Sequence, residues 1–235
     1  MMANKYPDYT KPWRHSDISF HVEGKIVHAN KTILSMWSPV FEAMFTNDFK
    51  EKHASEIKLP GKDYNDILEL LRVIHPPNKK IDGNSVYKLL PLAREYQMFV
   101  LTENCEEYLL TLPPSMEHLI IAEEYNLPKL LDKCISFASN VKLCDLESRT
   151  EFKQLEQTTM IELLRRKIQT LETKQKALKT IHEIVSGDRP HWRYDCLDES
   201  RGAHKQRSDI SCDACSYWMC DEVRKKCRQI MENLN

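Results

Sequence analysis

The sequence predicts an α+β protein: a small sheet of short strands gives way to helices, an all-helical extension follows, and the chain ends in a Cys-rich segment. Three observations predict it. Residues 16–60 mix period-two apolar alternation with short helical runs, residues 85–141 carry two similar helical stretches 29 positions apart, and residues 158–185 contain neither Gly nor Pro.

In order along the chain, "DISFHV" sets Ile18, Phe20 and Val22 on one face, and "KIVHA" follows Glu23-Gly24. The pattern predicts a hairpin with one buried face, joined by a turn weaker than Asn-Gly. "NKTILSMW" opens on Asn30 as an N-cap and spaces Ile33, Leu34 and Trp37 for a helix, which Ser38-Pro39 ends and restarts as a second one carrying Val40, Phe41, Met44 and Phe45. "EIKLP" reads as a further strand. "YNDILELLRVIH" aligns Ile67, Leu68, Leu71 and Ile74 on one helix face and stops at Pro76-Pro77.

From Ser85 the chain repeats itself. "LAREYQMFVLTENC" aligns with "IAEEYNLPKLLDKC" at a shift of 29, which superposes Ala93 on Ala122, Glu95 on Glu124, Tyr96 on Tyr125 and Cys105 on Cys134. Two successive helix hairpins of one build are expected. Beyond them a long helix over 158–186 ends at Ser186-Gly187. Ile161, Leu164, Ile168, Leu171, Leu178 and Val185 fall on heptad a and d positions, interrupted by Gln175 and His182. Both a coiled coil and a helix docked on the preceding hairpins fit that pattern.

Composition narrows the classes of function. With 34 basic and 35 acidic residues and a net charge of -1, the chain has no overall electrostatic basis for binding nucleic acid or an anionic membrane. The triplets Arg165-Arg166-Lys167 and Arg224-Lys225-Lys226 read as solvated helix faces. The N-terminus lacks a signal-peptide core, and no segment approaches the roughly 18 continuous apolar residues of a membrane span. An intracellular location, cytoplasmic or nuclear, is therefore expected, with the 8 cysteines reduced.

The segment "DISFHVEGKIVHANKTILSMWSPVFEAMF" resembles the opening of a BTB (POZ) domain, with Asp17, His28, Leu34, Ser38, Pro39, Phe41 and Phe45 at that family's signature positions. "VIHPPNKKI" followed by "LLPLAREYQM" is most similar to the BTB domains of nematode proteins that also carry a MATH domain; no MATH-like part precedes it here, and no kelch repeats follow. The resemblance implies a BTB/POZ fold over residues 16–110, an N-terminal extension over 1–15 in which Pro7 and Pro12 oppose a helix, and a helical box over 113–141 like that of ubiquitin-ligase adaptors. Residues 142–187 form the helical extension and 188–235 the Cys/His-rich segment.

The same resemblance implies the partners. In adaptors of cullin-3 ubiquitin ligases, a hydrophobic residue, any residue and Glu follow the "SPVF" helix and help dock the cullin. Phe49-Lys50-Glu51 fits that pattern, with Phe49 as an apolar anchor contributing roughly 1.5 to 3 kcal/mol by burial and Glu51 fixing orientation. Folding of Phe49 back onto its own domain is the alternative. Where many adaptors carry Tyr in an "IYTG"-like segment this chain has "VIHPP", which brings His75 to the implied cullin surface. Homodimerisation through Ile33, Met36 and Trp37 is expected, the alternative being that these three are ordinary core.

In the C-terminal segment, Cys212-Asp-Ala-Cys215 has a spacing at which two thiolates reach one tetrahedral zinc. Cys220 and Cys227, seven apart on a predicted helix, are roughly 10 Å apart along its axis, so at most one of them joins the pair. Cys196, His191 or His204 would complete the site. A structural zinc on Cys196, Cys212, Cys215 and Cys220, buried reduced thiols, and a redox or disulfide role all remain open. No enzyme is expected: 5 glycines form no phosphate loop, no nucleophile elbow or His-Glu-x-x-His motif occurs, and His28 and His53 have no neighbouring nucleophile to activate. The sequence thus predicts a protein-interaction module, a substrate-recruiting adaptor of a cullin-3 RING ubiquitin ligase, with a dimeric BTB scaffold or transcriptional cofactor as the alternative.

Overall fold

A computed structural model describes residues 6–46 and 55–186, with residues 225, 228 and 229 on a further helical stretch. Strands β1 (Ile18–Val22) and β2 (Lys25–Ala29) form the expected antiparallel hairpin, and β3 (Glu56–Lys58) pairs parallel with β1 to give the order β2-β1-β3. Glu23 (φ 49) and Gly24 (φ 75) both take the left-handed conformation that a tight two-residue hairpin demands. Glu23 tolerates it in a useful way: its carboxylate accepts from the Tyr64 N–H at 3.2 Å, tying the hairpin tip to the start of the helix Tyr64–Ile74.

Helices α1 (Lys31–Trp37) and α2 (Pro39–Thr46) bridge β2 to β3. Asn30 caps α1 by accepting from the Ile33 N–H at 3.0 Å. Ser38, 1% exposed, joins three elements: its hydroxyl accepts from the Phe41 N–H at 3.1 Å and donates to the Tyr96 carbonyl at 2.6 Å. The hydroxyl therefore caps α2 and anchors it to the end of a later helix. Around it, Phe41 stacks on Tyr96 with centroids 4.5 Å apart and touches Phe20 and Phe45, which makes this aromatic group the centre of the core.

Helix α3 (Tyr64–Ile74) starts where Asp63 accepts from the Asn65 and Asp66 N–H groups, and buries Ile67, Leu68, Leu71 and Ile74 as their spacing predicts. At its end Asn78 (φ 53) donates to the Val73 and Ile74 carbonyls, satisfying groups that a helix terminus leaves open. Glu69, 8% exposed, is paired by Lys79 and Arg72.

The repeat is expressed in backbone geometry. Helices α4 (Val86–Glu95) and α5 (Phe99–Leu110) form one hairpin; α6 (Met116–Glu124) and α7 (Pro128–Asn140) form the next. At the two turns Gln97 (φ 52) and Asn126 (φ 53) are left-handed, and the Met98 and Leu127 N–H groups donate to the Ala93 and Ala122 carbonyls at 2.7 and 2.8 Å. Each turn is thus a Schellman C-cap built without glycine. Cys105 and Cys134, the matched pair, are both buried, and burial pushes the Cys105 thiol up to about 12.

The two hairpins are joined by a buried carboxylate. Helix α7 follows Leu127-Pro128 and has no side-chain cap of its own; Glu106 of α5, 4% exposed, accepts instead from the Lys129 and Leu130 N–H groups at 2.7 and 3.0 Å. Its charge also sits at the favourable end of the helix dipole. Glu106→Ala strands those donors and is expected to cost roughly 2–4 kcal/mol by urea denaturation, with Glu106→Gln recovering about half.

Helix α8 (Leu143–Glu147) and a 3-10 turn (Glu151–Gln154) bury Leu146, Phe152 and Leu155 before α9 (Gln157–Ser186), the expected long helix. The chain divides into two compact units at Leu163/Leu164. In the first, Thr159 and Leu163 at the start of α9 are buried; in the second, Ile168, Leu171 and Leu178 are exposed. The α+β class and its helical extension hold as predicted.

Candidate protein-interaction surface

Two features on the first unit present apolar surface beside polar groups: the outer face of α1 and a cleft next to it. On α1, Leu34 is fully buried, Ile33 and Trp37 are half-buried, and Met36 is 81% exposed. The helix repeat explains the division: Leu34 faces the interior, Met36 lies about 200° round the helix from it, and Ile33 and Trp37, about 100° and 60° from it, sit at the boundary. Of the three residues expected at a dimer interface, Met36 stands clear of the core.

The cleft, ≈510 Å3, is lined by Pro7, Trp13, His15, Asn30, Ile33, His75 and Pro76. Its wall is a strap that a proline-rich N-terminal stretch does not suggest at first sight. Residues 7–15 form no helix, as Pro7 and Pro12 predict, but they lie along β2: the His28 N–H donates to the Tyr9 carbonyl at 2.8 Å, the Trp13 indole N–H donates to the His28 carbonyl at 3.4 Å, and Asn30 donates to the His15 carbonyl at 2.7 Å. Tyr9 is 2% exposed. The strap uses the aromatic rings to close over the end of α3.

His75 lies beneath that strap. It is 1% exposed, with the Tyr9 ring 5.5 Å and the Trp13 ring 5.9 Å from its own, both edge-on. Its Nδ1–H donates to the Leu71 carbonyl at 3.1 Å, leaving Nε2 as a buried acceptor with no hydrogen-bond partner among the described residues, and Tyr9 Oη likewise has none among them. Burial is the main cause that holds the His75 imidazole well below its ordinary value, at about 4, so it is neutral at physiological pH. The rings of Tyr9 and Trp13 thus enclose His75, the residue expected at the cullin surface.

Phe49, Lys50 and Glu51 lie outside the described residues, between α2 and β3. So do Cys196, Cys212, Cys215 and Cys220. The structure therefore brings together Ile33 and His75 at one cleft and sets Met36 and Trp37 on the same short helix. Among the described residues no group of three or more His, Cys, Asp or Glu side chains is arranged to hold a metal ion, and no helix is long and apolar enough to cross a membrane. Sequence reasoning missed Tyr9 and Trp13; their signal was two aromatics on either side of Pro12, shortly before a strand. Glu106 was missed too, and its only trace was a helix start at Leu127-Pro128 without a capping side chain.

Comparison with known proteins agrees with this architecture. The BTB/POZ domain profile matches residues 7–112, so the match takes in the strap that the sequence set apart as an extension. The chain is 33% identical over 153 residues to BTB and MATH domain-containing protein 38 of Caenorhabditis elegans, covering 63% of this chain and 39% of that protein. It is 31% identical over 170 residues to BTB and MATH domain-containing protein 36 of the same organism, covering 70% and 52% respectively. Kelch-like protein 8, also from C. elegans, is 26% identical over 221 residues, 92% of this chain and 32% of its own length. The chain thus spans about half or less of the relatives it matches. Residues 7–112 are a BTB/POZ domain, a protein-interaction module.

Proposed function

We propose that the chain is a substrate-recruiting adaptor of a cullin-3 RING ubiquitin ligase, with Phe49 and Glu51 in the cullin contact and the outer face of α1 joining two copies. The observation that carries the reading is the triplet Phe49-Lys50-Glu51 directly after the "SPVF" helix of a BTB domain. The α6–α7 hairpin, a continuation of the α4–α5 build, supports it by extending the domain where such adaptors carry their helical box. The similarity to Kelch-like protein 8 of C. elegans is in keeping with an adaptor role.

The physical logic is that of a small hot spot. An exposed aromatic entering a partner pocket is worth roughly 1.5 to 3 kcal/mol, a factor of about 10 to 150 in affinity. Titration of the full chain with the N-terminal domain of cullin-3 is expected to show that loss for Phe49→Ala and a smaller one for Glu51→Ala, with thermal melting unchanged in both. A melting temperature that falls in Phe49→Ala while affinity holds would place Phe49 in the fold and refute the contact.

Dimerisation is tested separately. Met36 is 81% exposed, so Met36→Asp strains nothing within its own copy but buries an unpaired charge if two α1 faces meet. Light scattering is expected to show at least a tenfold weaker association for Met36→Asp. The substrate is a protein recognised outside the BTB core. A zinc site at Cys196, Cys212, Cys215 and Cys220 is proposed as a structural staple of the C-terminal segment, checked by metal content in the full chain and in Cys212→Ser/Cys215→Ser.

A further inference from the structure

We propose that α9 is one half of a parallel, in-register coiled coil formed with a second copy of this chain. The proposal stands on α9 alone and does not need the adaptor reading or the α1 interface.

The first observation is the direction in which the helix shows its apolar residues. With Ile161 at heptad position a, Thr159 and Leu163 fall at f and c, on the opposite side of the helix, and these two are buried at 7% and 0%. The a and d side carries Ile161, Ile168, Leu171 and Leu178 at 50, 57, 58 and 62% exposure, with Leu164 half-buried between the first two. The start of the helix thus docks by its back, with Ile161 on the open side. Single exposed apolar residues need no explanation, but four on one heptad stripe leave a continuous face that water hydrates poorly.

The second observation identifies the occupant. Gln175 and His182 occupy a positions, and a stripe seated on an ordinary apolar groove would strand the Gln175 amide. In a parallel, in-register pair a faces a′, so the Gln175 amide meets its own equivalent and His182 meets His182. An antiparallel pair would set each against an apolar d position. A polar residue at a is the known device for specifying register at a cost in stability.

Charge agrees with that register in one heptad and opposes it in the next. Lys167 at g faces Glu172 at e of the other copy, twice by symmetry, whereas Lys174 faces Lys179. The like-charged pair predicts a pairing of moderate strength that a single substitution improves.

The test uses the full chain carrying Met36→Asp, so that any α1 association is weakened first. Mild oxidation of Gln175→Cys is expected to give intermolecular disulfide dimers at least tenfold faster than Lys176→Cys, which lies on the outside of the helix, each measured against the parent's own cysteines as background. Sedimentation is expected to show at least tenfold weaker self-association for Ile168→Asp/Leu171→Asp and severalfold stronger association for Lys179→Glu. Equal cross-linking at 175 and 176, or self-association indifferent to the double variant, would overturn the proposal. Loss of association in Met36→Asp alone, with α9 variants silent, would also overturn it and leave the α1 interface standing.

Discussion

Phe41→Ala is expected to remove roughly 3–5 kcal/mol of stability, a large share of the 5–15 kcal/mol that a domain of this kind holds. The magnitude follows from what the ring touches. Phe41 is 1% exposed, lies 4.5 Å from Tyr96 in a near-parallel stack, and contacts Phe20 of β1 and Phe45 of its own helix. Deleting it opens a cavity where the sheet, α2 and the end of α4 meet, and the Ser38 bonds to α2 and to Tyr96 hold the walls apart so that they cannot collapse to fill it. Phe41→Leu keeps most of the volume and is expected to cost about 1–2 kcal/mol. Urea denaturation of both variants at one pH checks this; a loss below about 1 kcal/mol for the alanine variant would mean that the aromatic group does not centre the core.

Acid is expected to destabilise the domain through His75. Its folded value of about 4 lies below the ordinary 6.5, so the fold favours the neutral ring. The contribution is complete above pH 6.5 and is lost as the pH falls toward 4. Linkage gives a loss of about 2 kcal/mol by pH 5 and about 3 kcal/mol by pH 4, relative to pH 7. The physical cost is that of charging an imidazole enclosed by the Tyr9 and Trp13 rings, whose Nε2 has no acceptor among the described residues to donate to once protonated. His75→Leu should flatten the stability profile over that range. An equal slope in the variant and the parent would show that other groups, and not His75, carry the acid sensitivity.

These two positions also show what could be read in advance. Phe41 and the sheet were legible because alternation in "DISFHV" and the Ser-Pro restart are local signals, each set by backbone sterics within a few residues. The Gln97 and Asn126 turns were legible as a repeat, although their left-handed conformation was not, because neither residue is the glycine that usually marks it. The burial of His75 was not legible because it depends on Tyr9 and Trp13, more than sixty residues earlier, and a polar residue before two prolines looks locally like an exposed turn. Glu106 was illegible for the same reason: its partners are the bare amides of α7, which carry no sequence signature. In this chain local patterning specified the elements, while the groups that fix their mutual packing came from distant positions.

The adaptor reading turns on one interaction. Light-scattering chromatography of the full chain mixed with the N-terminal domain of cullin-3 at micromolar concentration should give a complex containing two copies of each. A mixture that elutes as its separate components would contradict the reading and leave a BTB/POZ interaction module without a ligase.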